Sequence, residues 1–231
     1  MIDNKKILAL VPARGGSKGI KLKNLKKIGG KSLIKITSDF IDKCKFFDLK
    51  VLSSENKKII KHSAKLNFKI VKRSKKLSGD KISDFQVIKE AISSIKKDLN
   101  QSFDYVVYLQ PTSPIRKKNH LHKAIKKVIK FNYHGSWSVS KINIKYHPLK
   151  VLKLDKYNLK LFDKRGSKIV ARQMLQEIFI RNGVFYIFNI KKLIKKKSIY
   201  LNKILPSITE YQISNIDNLN DLNLARKIIQ K

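Results

Sequence analysis

The residues with the most chemistry to offer lie near the start of the chain, in Leu8-Ala-Leu-Val-Pro-Ala-Arg-Gly-Gly-Ser-Lys-Gly-Ile20. An apolar run ends there in a loop with three glycines, one serine and two cations, Arg14 and Lys18. Ala13, Gly15, Gly16 and Ser17 offer unhindered backbone N–H groups and a hydroxyl, and glycine lets such amides approach phosphate oxygens closely. Arg14 and Lys18 supply neutralising charge. This composition suits the cradling of a phosphorylated ligand. The spacing matches neither the P-loop nor the dinucleotide fingerprint, and a tight turn with solvated cations is the plainer reading of the loop taken alone.

Four further segments carry polar chemistry. Leu109-Gln-Pro-Thr-Ser-Pro-Ile-Arg116 fixes a turn with two prolines and presents Gln110, Thr112, Ser113 and Arg116 as hydrogen-bonding groups. Arg73 is followed by Leu77-Ser-Gly-Asp80 and Ser83. Ala171-Arg-Gln173 precedes Arg181-Asn-Gly183. Asn215-Ile-Asp217, with Asp221, stands just before a last helical pattern, where capping is the plain alternative. Arginine use points the same way. Only seven of the 53 basic residues are arginine, and Arg14, Arg73, Arg116, Arg172 and Arg181 fall in these segments, where a planar bidentate donor is useful.

The elements that must hold these segments alternate along the first 140 residues. Strands are predicted at Ile7–Val11, Leu49–Ser53, Phe68–Lys72, Tyr105–Leu109 and Ser136–Val139, with helices at about Ser32–Cys44, Asn56–Leu66, Ile82–Lys97 and Lys118–Phe131. Such alternation implies βαβ units and a mostly parallel sheet flanked by helices, a Rossmann-like α/β fold with its ligand cleft at the carboxyl edge of the strands. After Lys141 the rhythm breaks. Residues of about 142–176 read as a small β-rich insertion in a single domain spanning 1–231, expected to serve as a dimer contact or as a local lid. A strand at Gly183–Phe188 and a last helix near Asn218–Gln230 follow.

Composition narrows the function classes. The formal charge of +37 normally suggests nucleic acid. Here the lysines are spread through the whole chain with no basic arm, which favours a solvated surface over a specific nucleic-acid site. No apolar segment approaches a membrane span, and no signal peptide is expected. A single cysteine, Cys44, excludes an intrachain disulfide framework and a cysteine-rich zinc site, and the chain is expected to be cytoplasmic.

Taken together, Val11-Pro-Ala-Arg-Gly-Gly-Ser-Lys-Gly-Ile20 with Lys23-Asn24, then Leu109-Gln-Pro-Thr-Ser-Pro-Ile-Arg116, and more weakly Arg172-Gln173 and Arg181-Asn-Gly183, resemble the acylneuraminate cytidylyltransferases. The resemblance runs from about Lys6 to Ile229 and favours this branch over the related Kdo cytidylyltransferases. It implies attack by the anomeric hydroxyl of a nine-carbon sugar acid on the α-phosphorus of CTP, with pyrophosphate leaving, in a homodimer that uses Mg2+. Arg14, Lys18 and Asp217 would then be catalytic. Ala13, Arg14, Gly15, Gly16, Ser17, Lys23, Asn24, Arg73 and Ser83 would bind the nucleotide, and Gln110, Thr112, Ser113, Arg116, Arg172 and Gln173 the sugar acid. The metal would fall to Asp217, to Asn215 with weakened affinity, and to Asp221 in reserve.

The chain departs from the family pattern in places. Asn215 stands where the first aspartate of an Asp-x-Asp pair is usual, Ser54-Glu55 replaces Thr-Asp, and Ser32 and Gln176 stand where proline is usual. These departures point to a divergent member with altered metal affinity, or to a chain that keeps the nucleotide site without efficient turnover, while the motifs leave open a different sugar acid (legionaminate, pseudaminate or Kdo-like). A basic nucleic-acid-binding protein is the remaining alternative.

Overall fold

A computed structural model describes residues 1–209 and 215–229. In it the apolar runs become strands in chain order with helices between them. The first half holds β1 (Ile7–Pro12), a short hairpin of β2 (Lys27–Ile28) and β3 (Lys31–Ser32), α1 (Leu33–Lys43), β4 (Leu49–Ser54), α2 (Lys57–Ala64), β5 (Lys69–Lys72), α3 (Asp84–Leu99) and β6 (Tyr105–Tyr108). The second half holds α4 (Lys118–Lys130), β7 (Gly135–Lys141), the hairpin β8 (Leu152–Asp155) and β9 (Asn158–Leu161), β10 (Phe179–Asn189), α5 (Ile190–Lys196), β11 (Ile204–Ile208) and α6 (Leu219–Ile229).

Seven strands form one sheet in the order β11-β7-β10-β6-β1-β4-β5. Only β10 runs against its neighbours; the other pairings are parallel. Alternate side chains of β1 enter opposite cores, as strand geometry requires. Ile7, Ala9 and Val11 meet α1, α2 and α4 on one face, and Leu8 and Leu10 meet α3 and α5 on the other. Burial on both faces explains why these strands read as continuous apolar runs. The result is a three-layer, Rossmann-like α/β fold. Because β1, β4, β5 and β6 are parallel, the loops that follow them emerge at one edge.

Polar caps set where the helices begin. Ser32 accepts from the Lys35 N–H, Asn56 from Lys58 and Ile59, and Ser83 forms a reciprocal capping box with Gln86. Besides the short β2–β3 hairpin, two elements lie outside the predicted set. Strand β11 is an edge strand containing Pro206, a residue that ordinarily argues against a strand interior. Helix α5 is only seven residues long and buries Ile190 and Leu193, too little to show a helical period. The strand expected at Gly183–Phe188 runs from Phe179 to Asn189, with a register shift between Arg181 and Tyr186. The last helix occupies Leu219–Ile229, and the expected terminal residue Gln230 lies outside the described residues. The insertion carries one two-stranded hairpin whose turn is built on Lys156 at φ 55°. Leu154, Tyr157, Leu159 and Phe162 are exposed on it.

Candidate active site

The loop after β1 is pinned before it reaches solvent. The Ala13 N–H donates to Ser53 O at 3.0 Å, and Ala13 is fully buried. Asn24, also buried, donates its side-chain amide to Arg14 O at 3.1 Å. Two amides expected to face a phosphate are engaged within the protein. Gly15 N–H donates to Glu55 Oε1 at 2.6 Å, and Ser17 N–H to Gly15 O at 3.0 Å. The loop therefore meets the cleft chiefly through its cations. Arg14 Nη1 and Lys18 Nζ reach the two carboxylate oxygens of Asp80, at 2.8 and 2.7 Å. Their hydrogen bonds, Lys18's first, hold the Asp80 carboxyl below the usual range.

A small third core places the facing edge. Ile216 is fully buried with Ile20, Ile28, Leu33, Leu222 and Ala225, and its N–H donates to Thr112 O at 2.8 Å. Its neighbours Asn215 and Asp217 are thereby delivered to the cleft. Asp217 Oδ1 accepts from Lys23 Nζ at 2.8 Å and Oδ2 from Asn215 Nδ2 at 3.0 Å. Asp221 turns away: its Oδ2 accepts the N–H groups of Asp217 and Asn218 at 2.8 and 3.0 Å, capping α6. Gly19 is required here because a Cβ would run into the Asp217 carbonyl oxygen, a backbone atom with little room to yield.

The floor comes from β4, β5 and β6. Arg73 is 6% exposed and donates through Nε to Ser53 Oγ at 3.0 Å and through Nη2 to Ser53 O at 2.8 Å. Burial, opposed by Tyr108, Glu55 and Glu90, lowers its pKa. Tyr108, buried on β6, donates its phenol to Asp84 Oδ1 at 2.9 Å, and burial, then Asp84, raises its pKa well above the ordinary value. Gly183, at φ 72°, backs onto Gln110: a Cβ there would lie 2.6 Å from Gln110 Oε1 and 2.8 Å from Ser113 Oγ.

These groups enclose a cleft of about 430 Å³. Arg14, Ser17, Lys18, Lys23, Asn24, Arg73, Gln110, Thr112, Asn215 and Asp217 line it, together with Asp80, Ile82, Asp84 and Tyr108. A second cavity of about 340 Å³ adjoins it and shares Ile82 and Asp84. Its wall includes Arg181, whose guanidinium lies 5.2 Å from the ring centres of Trp137 and Tyr200 and 5.9 Å from that of Tyr186. Ser83 lines this second cavity and caps α3.

Other expected site residues have different placements. Ser113 is buried and donates to Asn182 O at 3.2 Å. Arg116, expected at the substrate, turns inward: its Nε donates to Val184 O at 2.8 Å and its Nη2 to Gln110 O. It ties a carbonyl of the irregular turn to one of β10, at the register shift where backbone carbonyls must find donors elsewhere. Gly16 belongs to the loop without lining the cleft, and Arg172 and Gln173 sit exposed on the insertion, outside both cavities. Asp80, in the expected segment after Arg73, lines the cleft, whereas Asp84 and Tyr108 belong to the cleft and are absent from the expected site residues. An aspartate following a serine N-cap reads as a helix start, and a tyrosine inside an apolar strand reads as core.

Among the described residues no cluster of three His, Cys, Asp or Glu side chains stands together, and no helix is long and apolar enough to cross a membrane. Known structures share the fold. A CMP:2-keto-3-deoxy-manno-octonic acid synthetase complexed with CTP superposes with a TM-score of 0.70 at 10% identity, covering 97% of this chain and 98% of that one. A 4-diphosphocytidyl-2C-methyl-D-erythritol synthase of Anaerococcus prevotii gives 0.68 at 17% identity, covering 100% and 98%. In sequence, an N-acylneuraminate cytidylyltransferase of Escherichia coli O18:K1:H7 is 28% identical over 230 residues, 98% of this chain. The chain spans about half of that relative, 52% of its length. A pseudaminic acid cytidylyltransferase of Campylobacter jejuni is 30% identical over 232 residues, covering 98% of this chain and 97% of the relative. Residues 8–228 match the family model described as Cytidylyltransferase, and the chain belongs to that family.

Proposed function

We propose that the protein couples CTP to a nonulosonic, sialic-acid-like sugar acid, giving the CMP-sugar and pyrophosphate. The observation that carries this reading is the convergence of Arg14, Lys18, Lys23 and Arg73 on one cleft at the carboxyl edge of the parallel strands. Four cations suit a triphosphate, and in-line nucleotidyl transfer depends mostly on positioning and charge neutralisation. The family and the relatives named for acylneuraminate and pseudaminic acid support the acceptor class. Legionaminic or Kdo-like acids present the same carboxylate and anomeric hydroxyl and fit equally.

In this reading Asp80 holds Arg14 and Lys18 in place as a countercharge until a phosphate takes over their N–H donors. Asp217 does the same for Lys23 on the facing edge. Gln110, backed by Gly183, orients the sugar acid. A divalent cation fits the edge at Asn215 and Asp217. Asn215 Oδ1 is shielded from solvent with no hydrogen-bond partner among the described residues, beside a carboxylate, and all-oxygen donors suit Mg2+. Asn215 and Asp217 would hold it, with substrate phosphates and water as the remaining ligands. When bound, Mg2+ would neutralise charge on the phosphates.

Arg172 and Gln173 lie outside the cleft on an arm exposing Leu154, Tyr157 and Leu159, so we assign that arm to a homodimer contact. A substrate role for Arg172 and Gln173 then requires the cleft of a second copy. Sedimentation velocity of wild type and of Leu154→Asp/Leu159→Asp checks the dimer; a monomeric wild type refutes it. CTP as substrate and a buried, unpaired cysteine fit a cytoplasmic protein. The function itself is tested by incubating the protein with Mg2+, CTP or ATP, and sialic, legionaminic, pseudaminic or Kdo acids. Pyrophosphate release is expected with CTP and a nonulosonate. No release above background with any acid overturns the reading.

A further inference from the structure

Among the described residues three carboxylates line the cleft, and they are not equivalent. Asp80 is clamped by Arg14 and Lys18, and Asp217 by Lys23 and Asn215. Asp84 has no ion pair among the described residues. Its one side-chain partner among the described residues is a neutral donor, the Tyr108 phenol on Oδ1, which leaves Oδ2 without a hydrogen bond on a residue that lines the cleft. Its place is also distinctive. Among the described residues Asp84 and Ile82 alone line both the main cleft and the second cavity, so Asp84 stands at the junction where, in this reading, a nucleotide in one would meet an acceptor reaching into the other.

We propose that Asp84 is the general base of the transfer, its Oδ2 accepting the proton of the acceptor hydroxyl, and that Tyr108 is its positioning residue. This rests on the cytidylyltransfer reading above. In the step, the acceptor O–H proton passes to Oδ2 as the oxygen bonds to the α-phosphorus. The bond from that phosphorus to the bridging oxygen breaks, and pyrophosphate leaves with the bonding pair. The carboxylic acid then returns its proton to solvent through the open cleft. No further reactant is needed, and a positioned carboxylate is a recognised acceptor for a hydroxyl attacking a phosphoryl group.

The backbone around Asp84 is built to hold this geometry. Asp84 is the first residue of α3, fixed by the Ser83–Gln86 capping box. Tyr108 is 2% exposed on the central strand β6, so its ring cannot swing away, and its raised pKa keeps it a donor. An acidic first-turn residue also favours a helix through its dipole. That need is met without a buried phenol aimed at the same carboxylate from another element.

The test uses near-isosteric changes in the full chain. Asp84→Asn should lower kcat by about 10²- to 10⁴-fold, with CTP affinity by calorimetry and the KM for CTP changed by less than about threefold. Tyr108→Phe should lower kcat by about tenfold while leaving both KM values in place. In Asp84→Ala, added formate should restore turnover in a saturable way, which a merely structural role would not produce. Asp84→Asn that binds CTP and keeps kcat within about threefold of wild type overturns the assignment. So does a CTP-binding Asp84→Ala on which formate has no effect, and this second variant decides the matter if Asp84→Asn fails to fold. A wild-type chain that transfers to no sugar acid overturns the function itself, a result distinct from these.

Discussion

Replacing Asn215 with aspartate probes the proposed metal edge of the cleft directly. Asn215 Nδ2 donates to Asp217 Oδ2 at 3.0 Å, while Lys23 holds Oδ1 at 2.8 Å. Asn215→Asp removes that donor and sets two carboxylates against each other at a similar separation. The Asp217 side chain is 65% exposed, so the dielectric is close to that of water, and the added repulsion is about 1 kcal/mol at low salt. It weighs only on the metal-free protein. A divalent cation shared by the pair turns the repulsion into a second attraction, so Mg2+ affinity should rise by about five- to tenfold or more. The metal-free protein should lose stability by about the same 1 kcal/mol.

Calorimetric Mg2+ titration, with and without CTP, reads the affinity independently of turnover, and melting in EDTA and in excess Mg2+ reads the stability. Asn215→Asp is expected to melt lower than wild type in EDTA and to regain the difference in Mg2+. It should also reach half-maximal activity at lower Mg2+. Asp217→Asn, which leaves no charged ligand at this edge, should bind Mg2+ weakly and lose most turnover. Superimposable titrations of wild type and both variants refute the reasoning, because the metal would then be held elsewhere and Asn215–Asp217 would serve only to lead into α6.

Arg14→Ala should lower CTP turnover ten- to a hundredfold, the cost of about 1.5–3 kcal/mol for a lost charge-assisted contact, and Arg14→Lys should recover only part of it; full activity in Arg14→Ala removes Arg14 from the triphosphate site. Gly19→Ala forces a Cβ onto the Asp217 carbonyl and should cost about 1–3 kcal/mol by urea unfolding, with turnover reduced as the two edges of the cleft separate. His62 Nε2 lies 2.7 Å from Ser32 Oγ, the cap of α1, and burial, then Lys65 and Lys27, holds its pKa below the ordinary 6.5. The folded chain therefore binds fewer protons there than the unfolded one, so stability present above 6.5 is lost as pH falls through the lowered value; urea midpoints should show this drop in wild type and a smaller one in His62→Gln. The dispersed lysines should bind DNA or RNA weakly, without sequence preference and with a steep fall as salt rises; tight selective binding in a filter assay at physiological salt contradicts the solvated-surface reading.

How much of this was legible in the sequence depended on what each segment buries. The strands β1, β4, β5 and β6 declared themselves because both faces are covered, leaving uninterrupted runs such as Ile7–Val11. The edge strand β11 did not, because it contains Pro206. The cations of the first loop were legible because glycines beside them imply a close backbone approach. What the loop amides do was not legible, since Gly15 N–H goes to Glu55, forty residues away in sequence. Ser113 and Arg116 looked like cleft groups because they are polar and lie in a turn. Their partners, Asn182 O and Val184 O, come from β10, and nothing local to residues 109–116 announces that strand. Asp84 was hidden by the opposite effect, since a local role at a helix start was sufficient to explain it.

These pairings bear on how a chain with a formal charge of +37 keeps an ordered anion site. Cations crowded into a cleft repel one another and would otherwise splay toward solvent. Asp80 spans Arg14 and Lys18 with one oxygen each, and Asp217 takes Lys23, so the three loop cations are already directed inward by carboxylates. In the proposed reaction an arriving triphosphate would exchange with those carboxylates at sites that are already oriented, with much of the ordering entropy of long side chains spent during folding. Among the described residues most other surface lysines show no ion pair, and solvated lysines contribute long-range attraction without geometry. Net charge thus draws anions to the protein as a whole, whereas the paired carboxylates of the cleft confer on Arg14, Lys18 and Lys23 the fixed positions that chemistry at a single phosphorus requires.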